Sequence, residues 1–265
     1  MKLVRHHQTS ISYWTFGKGS PIVFLHGFME NHTMWKTIKR KFLNAHKVIL
    51  IDLPCHGKTR FNGEICSIDF MAECVFAVLK KEQITRPIVF GHSMGGYVGL
   101  ELLKLMPINL TLIHSNFWAD DDDKKVDRNR VVEVVKTKKQ FFIQEAIPHL
   151  FYTKNTQKCQ KDIFQIILKA NKIPNKEIIA ATKGMRDRQD NSLLVTSHKI
   201  NIIQGEFDPI IPLQLMQKKC LDLKTKPNLY ILKNVGHMSI WEAPTALIKV
   251  LSDITLNSQV SSTDK

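Results

Sequence analysis

The stretch IVFGHSMGGYVG, Ile88 to Gly99, joins an apolar run to a helical pattern through one serine with glycine two residues before it and two after. Three glycine-rich devices compete for such a junction: a phosphate-cradling loop, a plain strand-to-helix turn, and a turn that holds up a nucleophile. A phosphate loop needs a Lys-Ser or Lys-Thr pair after its glycines, and a dinucleotide fingerprint needs G-x-G-x-x-G at the first helix; neither is present. G-x-S-x-G has its own physical logic. A serine forced into a strained conformation at a tight turn brings flanking backbone close, so side chains at Gly91 and Gly95 would clash. The hydroxyl of Ser93 then stands at the carboxyl edge of a sheet, where open α/β sheets bind ligands, and the following helix aims its positive end and the Met94 N–H at any developing oxyanion. A purely structural turn stays open on this stretch alone.

Composition bounds the rest. The chain has 265 residues, of which 43% are hydrophobic, enough for one packed α/β domain or two small ones. No apolar run approaches the roughly 18 residues of a membrane helix. The start, MKLVRHHQTS, is charged and polar where a signal peptide is greasy, which points to the cytoplasm. Five scattered cysteines, with no C-x-x-C spacing, read as reduced thiols. Charge is the outlier: 38 Lys and Arg against 24 Asp and Glu leave +14. The lysines are spread over several helical patterns and no nucleic-acid motif accompanies them, so a solvated basic surface is favoured over a nucleic-acid groove. An acidic partner, such as an acyl carrier protein delivering a thioester, is the functional alternative.

Along the chain, β-branched runs alternate with amphipathic segments, the rhythm of a mostly parallel sheet flanked by helices. Ile11 to Phe16 and the run from Pro21 straddle the turn GKGS and read as an early strand pair; strands follow from Val48, Pro87, Leu110, Ile200 and Leu229. Helical patterns cover Thr33 to Leu43, Ile68 to Lys80, Met94 to Met106, and Pro244 to about Leu251. From Asn116 to about Leu194 no strand-like run appears. Ile163, Ile166, Ile167 and Ala170 fall at helical spacing instead, so this interval reads as a helical insertion. Asp120 to Asp123 at its start reads as a solvated entry loop capping the next helix, since a calcium loop would alternate its acids and end in glutamate.

Four ordered signals, LHGF, DLPCHGKT, GHSMGG, and GEFDPIIP followed by VGHMSIWEAP, make the chain resemble the α/β-hydrolase superfamily from Ile11 to about Leu251. The branch it resembles carries a helical cap after the sixth strand. The resemblance implies a core of residues 1–115 and 195–256, a cap of 116–194 and a flexible tail of 257–265. It also implies a catalytic serine, acid and histidine in that order: Ser93, Asp208 and His237. Chemistry agrees, because a serine hydroxyl needs a base, and the base needs a third group to fix its tautomer. Glu206 and the Asp120 to Asp123 run are rival acids, but Asp208 matches the family's spacing from glycine to acid to proline. Of eleven histidines, His237 lies just past the last strand. His26 and Gly27 imply an oxyanion hole made by the Phe28 and Met94 amides, with His26 bracing the loop; Cys55 stands where the family usually has glycine.

No cofactor or metal is implied. Trp118, Phe141 and Met238 are the substrate-contact candidates, taken from apolar residues near the site or in the insertion. The function expected is hydrolysis of carboxylic esters or thioesters through an acyl-enzyme. A carbon–carbon hydrolase or a lyase of the menaquinone-pathway type uses the same triad and is the alternative. A non-enzymatic receptor-like or scaffold protein is the third reading, against which the intact triad candidates argue.

Overall fold

The computed structural model describes the backbone of residues 1–263 and the side chains of residues 1–258. Its strands are β1 (Lys2–His6), β2 (Thr9–Phe16), β3 (Ser20–Leu25), β4 (His46–Ile51), β5 (Ile88–His92), β6 (Asn109–Ile113), β7 (Asn201–Gly205) and β8 (Asn228–Leu232). They form one sheet in the order β1-β2-β4-β3-β5-β6-β7-β8. β2 is antiparallel to both neighbours, and every pairing from β4 onward is parallel.

Both faces of the central strands are covered, which is why they read as continuous apolar runs and not as alternating ones. On one face, Ile22, Phe24, Val48, Leu50 and Phe90 pack with Trp35, Leu247 and Leu251. On the other, Val23, Leu25, Ile49, Ile51 and Val89 pack with Val75, Val78 and Val98. The covering helices include α1 (Lys36–Lys39), α2 (Ile68–Lys81), α3 (Met94–Leu105), α8 (Leu213–Leu221), the single turn α9 (Ser239–Glu242), and α10 (Pro244–Thr263); the four helices between β6 and β7 are described below. α2 opens on Ser67, whose side chain accepts the Phe70 N–H.

Two expectations on local structure are corrected. β2 and β3 are not a strand pair, because β4 lies between them: Tyr13 pairs with Ile51, and Leu25 pairs with Ile51 from the other side. Gly17 and Gly19, at φ of 70° and 111°, carry the connection over the chain entering β4, where a Cβ would strike the carbonyls of His46, Leu43 and Ala45. The polar start of the chain forms β1, an edge strand exposed along most of its length and therefore lacking the apolar signal used to find strands. α10 continues past Leu251 to Thr263. The tail expected at 257–265 thus falls partly on this helix and otherwise outside the described residues.

After β6 the chain leaves the sheet for α4 (Asp122–Ala146), α5 (Gln160–Ala170), α6 (Asn175–Arg186) and α7 (Ser192–Ser197) before returning as β7. Asp121 caps α4, its side chain accepting the Lys124 N–H. Asp120 is not solvated: it is 7% exposed and ion-paired to Arg188 at 2.7 Å and Arg128 at 3.1 Å. The insertion has its own apolar cluster, Val135, Ile143, Ile147, Phe151 and Ile166, which closes on Met29 and Met238 from the sheet side.

The aromatic centre of the sheet sets one measurable expectation. Phe24 is fully buried with its ring centroid 5.0 Å from that of Trp35 and 5.2 Å from that of Phe90. Phe24→Ala should cost about 3–5 kcal/mol, lowering Tm by roughly 2–4 °C per kcal/mol. Leu3→Ala on exposed β1 should stay within about 0.5 kcal/mol. Parallel thermal melts check the contrast, and equal losses would contradict this account of the core.

Candidate active site

Ser93 lies between β5 and α3 with φ +50° and ψ −117°. A non-glycine residue rarely adopts positive φ, so neighbouring backbone must hold it there. The Ser93 N–H donates to the Ile113 carbonyl of β6 at 2.9 Å, and the Ser93 carbonyl accepts from Ser115 Oγ at 2.7 Å. A Cβ on Gly95 would lie 2.5 Å from the Leu25 carbonyl and 2.7 Å from that of His26, and one on Gly91 would strike the Gly95 carbonyl. α3 starts at Met94, whose N–H has no helical carbonyl four residues behind it.

The loop after β3 runs beside this turn. His26 is fully buried; its Nε2 accepts the Leu53 N–H at 2.9 Å, so its Nδ1–H donates to the Gly27 carbonyl at 2.8 Å. Burial pushes its pKa down to about 4, which keeps the ring neutral and the brace fixed. A Cβ on Gly27 would lie 3.4 Å from Ser93 Cβ, so this loop passes directly beside the serine. Cys55, in the loop after β4, is fully buried at φ +72°, a left-handed conformation that glycine adopts freely.

His237 and Asp208 meet Ser93 from two other strand ends. His237 Nε2 is 3.0 Å from Ser93 Oγ, and His237 Nδ1 is 2.8 Å from Asp208 Oδ2. A carboxylate only accepts, so the proton sits on Nδ1 and Nε2 is left to accept from the serine hydroxyl. Asp208 Oδ1 accepts the N–H groups of Ile210 at 2.9 Å and Ile211 at 3.0 Å. Burial pushes the Asp208 carboxyl up, but His237 and His114 together hold it well below the usual carboxylate range. The rival Glu206 is partly exposed and pairs with Lys233 and the Asn234 N–H.

Three residues of this network lie beyond what sequence reading identified. His114, fully buried at φ +47° just past β6, donates Nδ1–H to the same Asp208 Oδ2 at 3.1 Å, and its Nε2 accepts from Ser239 Oγ at 2.7 Å. Burial pulls His114 below the usual histidine range against the raising influence of Asp208. The third is Glu242, 2% exposed, whose carboxylate accepts the N–H groups of Gly236, Met238 and Tyr152 and the Asn155 amide at 2.8–3.1 Å. It clamps the loop that carries His237 and ties that loop to the insertion. The only sequence signal was a glutamate near the start of WEAP, a residue type normally found in water.

Ser93 and His237 open onto a cavity of about 300 Å³ whose walls come from the loop after β3 and from α4, α5 and the segment 146–150. Met238 and Phe28 line it. Trp118 does not: it packs edge-on against Phe117 outside the cavity. Phe141 is 61% exposed, and its neighbour Phe142, about 100° further round α4, takes the inward position. The donor atoms of His114, Asp208 and His237 lie within 4.8 Å of one another, yet each imidazole nitrogen already has a hydrogen-bond partner. A second cluster of potential ligands, His6, His7 and Glu73, sits at the β1 edge.

The model of the Alpha/beta hydrolase family matches residues 22–250. Among curated relatives, the dihydrolipoyllysine-residue acetyltransferase component of the acetoin cleaving system of Pseudomonas putida is 26% identical over 230 residues, covering 85% of this chain and 60% of that protein. The pimeloyl-[acyl-carrier protein] methyl ester esterase of Aeromonas hydrophila is 33% identical over 102 residues, 38% of this chain and 39% of that one. The chain thus spans less than two thirds of these relatives' own lengths. In solved structures, a thermophilic esterase from Thermogutta terrifontis superimposes with a TM-score of 0.89 at 22% identity, covering 97% of this chain and 99% of that one, a likeness of fold.

Because Glu242 has four donors and no acceptor facing it, replacing one oxygen with an NH₂ group sets donor against donor. Glu242→Gln should destabilise the protein by roughly 2–4 kcal/mol and loosen the His237 loop. Hydrogen exchange at the Gly236 and Met238 amides, with a thermal melt, measures both effects. Unchanged protection would show that the clamp does not hold the loop.

Proposed function

The chain belongs to the alpha/beta hydrolase family, and on that premise we propose that it hydrolyses carboxylic esters, thioesters among them, through an acyl-enzyme on Ser93. The observation that carries the reading is the unbroken line from Ser93 Oγ through His237 to the Asp208 carboxylate, opening onto the cavity. As Oγ attacks the carbonyl carbon, its proton passes to His237 Nε2. The carbonyl oxygen, now anionic, is held by the Phe28 and Met94 amides. Collapse of this adduct expels the alcohol or thiol, which takes the proton from His237. Water then attacks the acyl carbon, giving its proton to the same nitrogen, and the acid leaves as Oγ recovers its hydrogen. Asp208 stays ionised throughout and stabilises the imidazolium.

The names of relatives support the class: esterases recur among them, and one acts on a pimeloyl-acyl-carrier-protein methyl ester. Residues 116–194 act in this reading as a cap over a core of 1–115 and 195–256. A net charge of +14 supports an acidic carrier protein as one source of substrate. Five cysteines, all buried and unpaired, support a reducing compartment, the cytoplasm. Among the described residues no helix is long and apolar enough to cross a membrane.

Acyl transfer to Ser93 separates this reaction from carbon–carbon cleavage or elimination run by the same three groups. Ser93→Ala should lose nearly all turnover of a p-nitrophenyl ester, and Asp208→Asn should lose on the order of 10⁴-fold in kcat by releasing the His237 tautomer. Rapid-quench mass spectrometry of the wild type with a slowly deacylating ester should find the acyl group on the Ser93 peptide. Quenched samples that never carry it, with Ser93→Ala still inactive, would put the lyase or carbon–carbon reading first.

A further inference from the structure

Glu30 lies on the wall of the same cavity as Ser93, three residues after Gly27, in the turn closed by the Glu30 N–H on the Gly27 carbonyl at 3.2 Å. It is 3% exposed, and neither carboxyl oxygen has a protein hydrogen-bond partner among the described residues. Native structures pair nearly all such groups; both oxygens are sealed in the free protein, so a ligand in the cavity reaches them through a turn of the Glu30 side chain. The other orphan on this wall, His92 Nδ1, is a different case. It faces the backbone of Gly27, 2.7 Å from where a Cβ would stand, and not the wall around Glu30.

From this geometry we propose that Glu30 is a substrate-recognition residue, its carboxyl binding an uncharged hydroxyl or carboxamide that the ester carries at a distance from the scissile bond. The proposal rests on the ester-hydrolase reading and adds the substrate's polar group to it. The charged and titratable neighbours argue against a cationic group. Arg128 and His149 line the same cavity, and Lys169 on α5 is the one group whose charge draws the Glu30 carboxyl downward. Arg128 and Lys169 would repel an ammonium. Burial outweighs Lys169 and pushes Glu30 up to about 8, so near pH 7 it presents one O–H donor and one C=O acceptor. A hydroxyl or a primary amide both accepts and donates, and therefore satisfies both oxygens at once. An alkyl chain satisfies neither. The remaining wall, with Phe28, Phe142 and Ile166, is apolar and suits the chain that would carry the group.

The test compares p-nitrophenyl hexanoate with a series bearing a hydroxyl at successive carbons, a terminal carboxamide, or a terminal ammonium. For at least one hydroxyl or carboxamide ester, wild-type kcat/KM should exceed that of the parent ester by roughly tenfold or more. That ratio should collapse toward one in Glu30→Leu and be partly kept in Glu30→Gln, which still has a donor and an acceptor. Equal ratios in the wild type and both variants would overturn the proposal. A preference for the ammonium ester that Glu30→Gln abolishes would also overturn it, in favour of a cation site. Calorimetric titration with the matched hydroxylated and plain acids needs no turnover. If no ester is hydrolysed, yet the hydroxylated acid binds the wild type roughly tenfold more tightly than it binds Glu30→Leu, the ester reading fails while recognition by Glu30 stands.

Discussion

The crossing of the β5–Ser93–α3 turn over the end of β3 is the constraint from which the rest of the site follows. α3 can begin where it does only because Gly95 lets its backbone rest on the Leu25 and His26 carbonyls, and Gly91 lets the turn close on itself. That approach fixes Ser93 at positive φ and sets the first free N–H of α3 beside the loop of Gly27 and Phe28. The strain is local, but its support is distributed. Ile113 and Ser115, on the neighbouring strand and its exit, hold both backbone ends of the serine, so β6 positions Ser93 although none of its side chains lines the cavity.

Asp208 is the second fixed point. Its two oxygens face four donors: two amides of its own turn and two imidazoles from other strand ends. A buried carboxylate is costly unless every lone pair is used, and here satisfaction and positioning are the same act. The hydrogen bonds that make the charge tolerable also orient His237. His114 shares Oδ2 and is itself anchored by Ser239, whose turn follows directly on His237 and Met238. Asp208, His237 and α9 are thereby tied into one network.

Legibility followed chemistry more closely than packing. The strand ends bearing Ser93, Asp208 and His237 were readable because glycine and proline spacing marks them, and the central strands because burial on both faces removes alternation. β1 was not readable, since an edge strand open to solvent carries no apolar pattern. The pairing of β2 with β4 also escaped, because a short glycine turn between two strands mimics a hairpin. Phe141 and Phe142 could not be ranked from sequence: adjacent positions on a helix face different ways, and α4 departs from helical geometry at Lys138, which resets its phase midway. His114, Glu242 and Glu30 were invisible for one reason. A polar residue at a strand end or in a loop is ordinarily solvated, and only the fold shows that these three are sealed.

The hydrogen-bonded line of Ser93, His237 and Asp208 and the cavity wall are divided between the sheet and the insertion, but not cleanly. Ser93, Asp208 and His237 all come from strand ends, whereas much of the cavity wall comes from α4, α5 and the segment beyond α4. Glu242 crosses that division by accepting at once from the His237 loop and from Tyr152 and Asn155. On the far side Asp120 pairs with Arg128 of α4 and Arg188 before α7, all three within the insertion. Any large displacement of 150–155 must therefore strip hydrogen bonds from a buried carboxylate and loosen the His237 loop in the same motion. A movement of the wall that avoids this cost has to leave 150–155 in place, and the kink of α4 is itself tied down, because Lys139 Nζ donates to the Asn171 and Ile173 carbonyls.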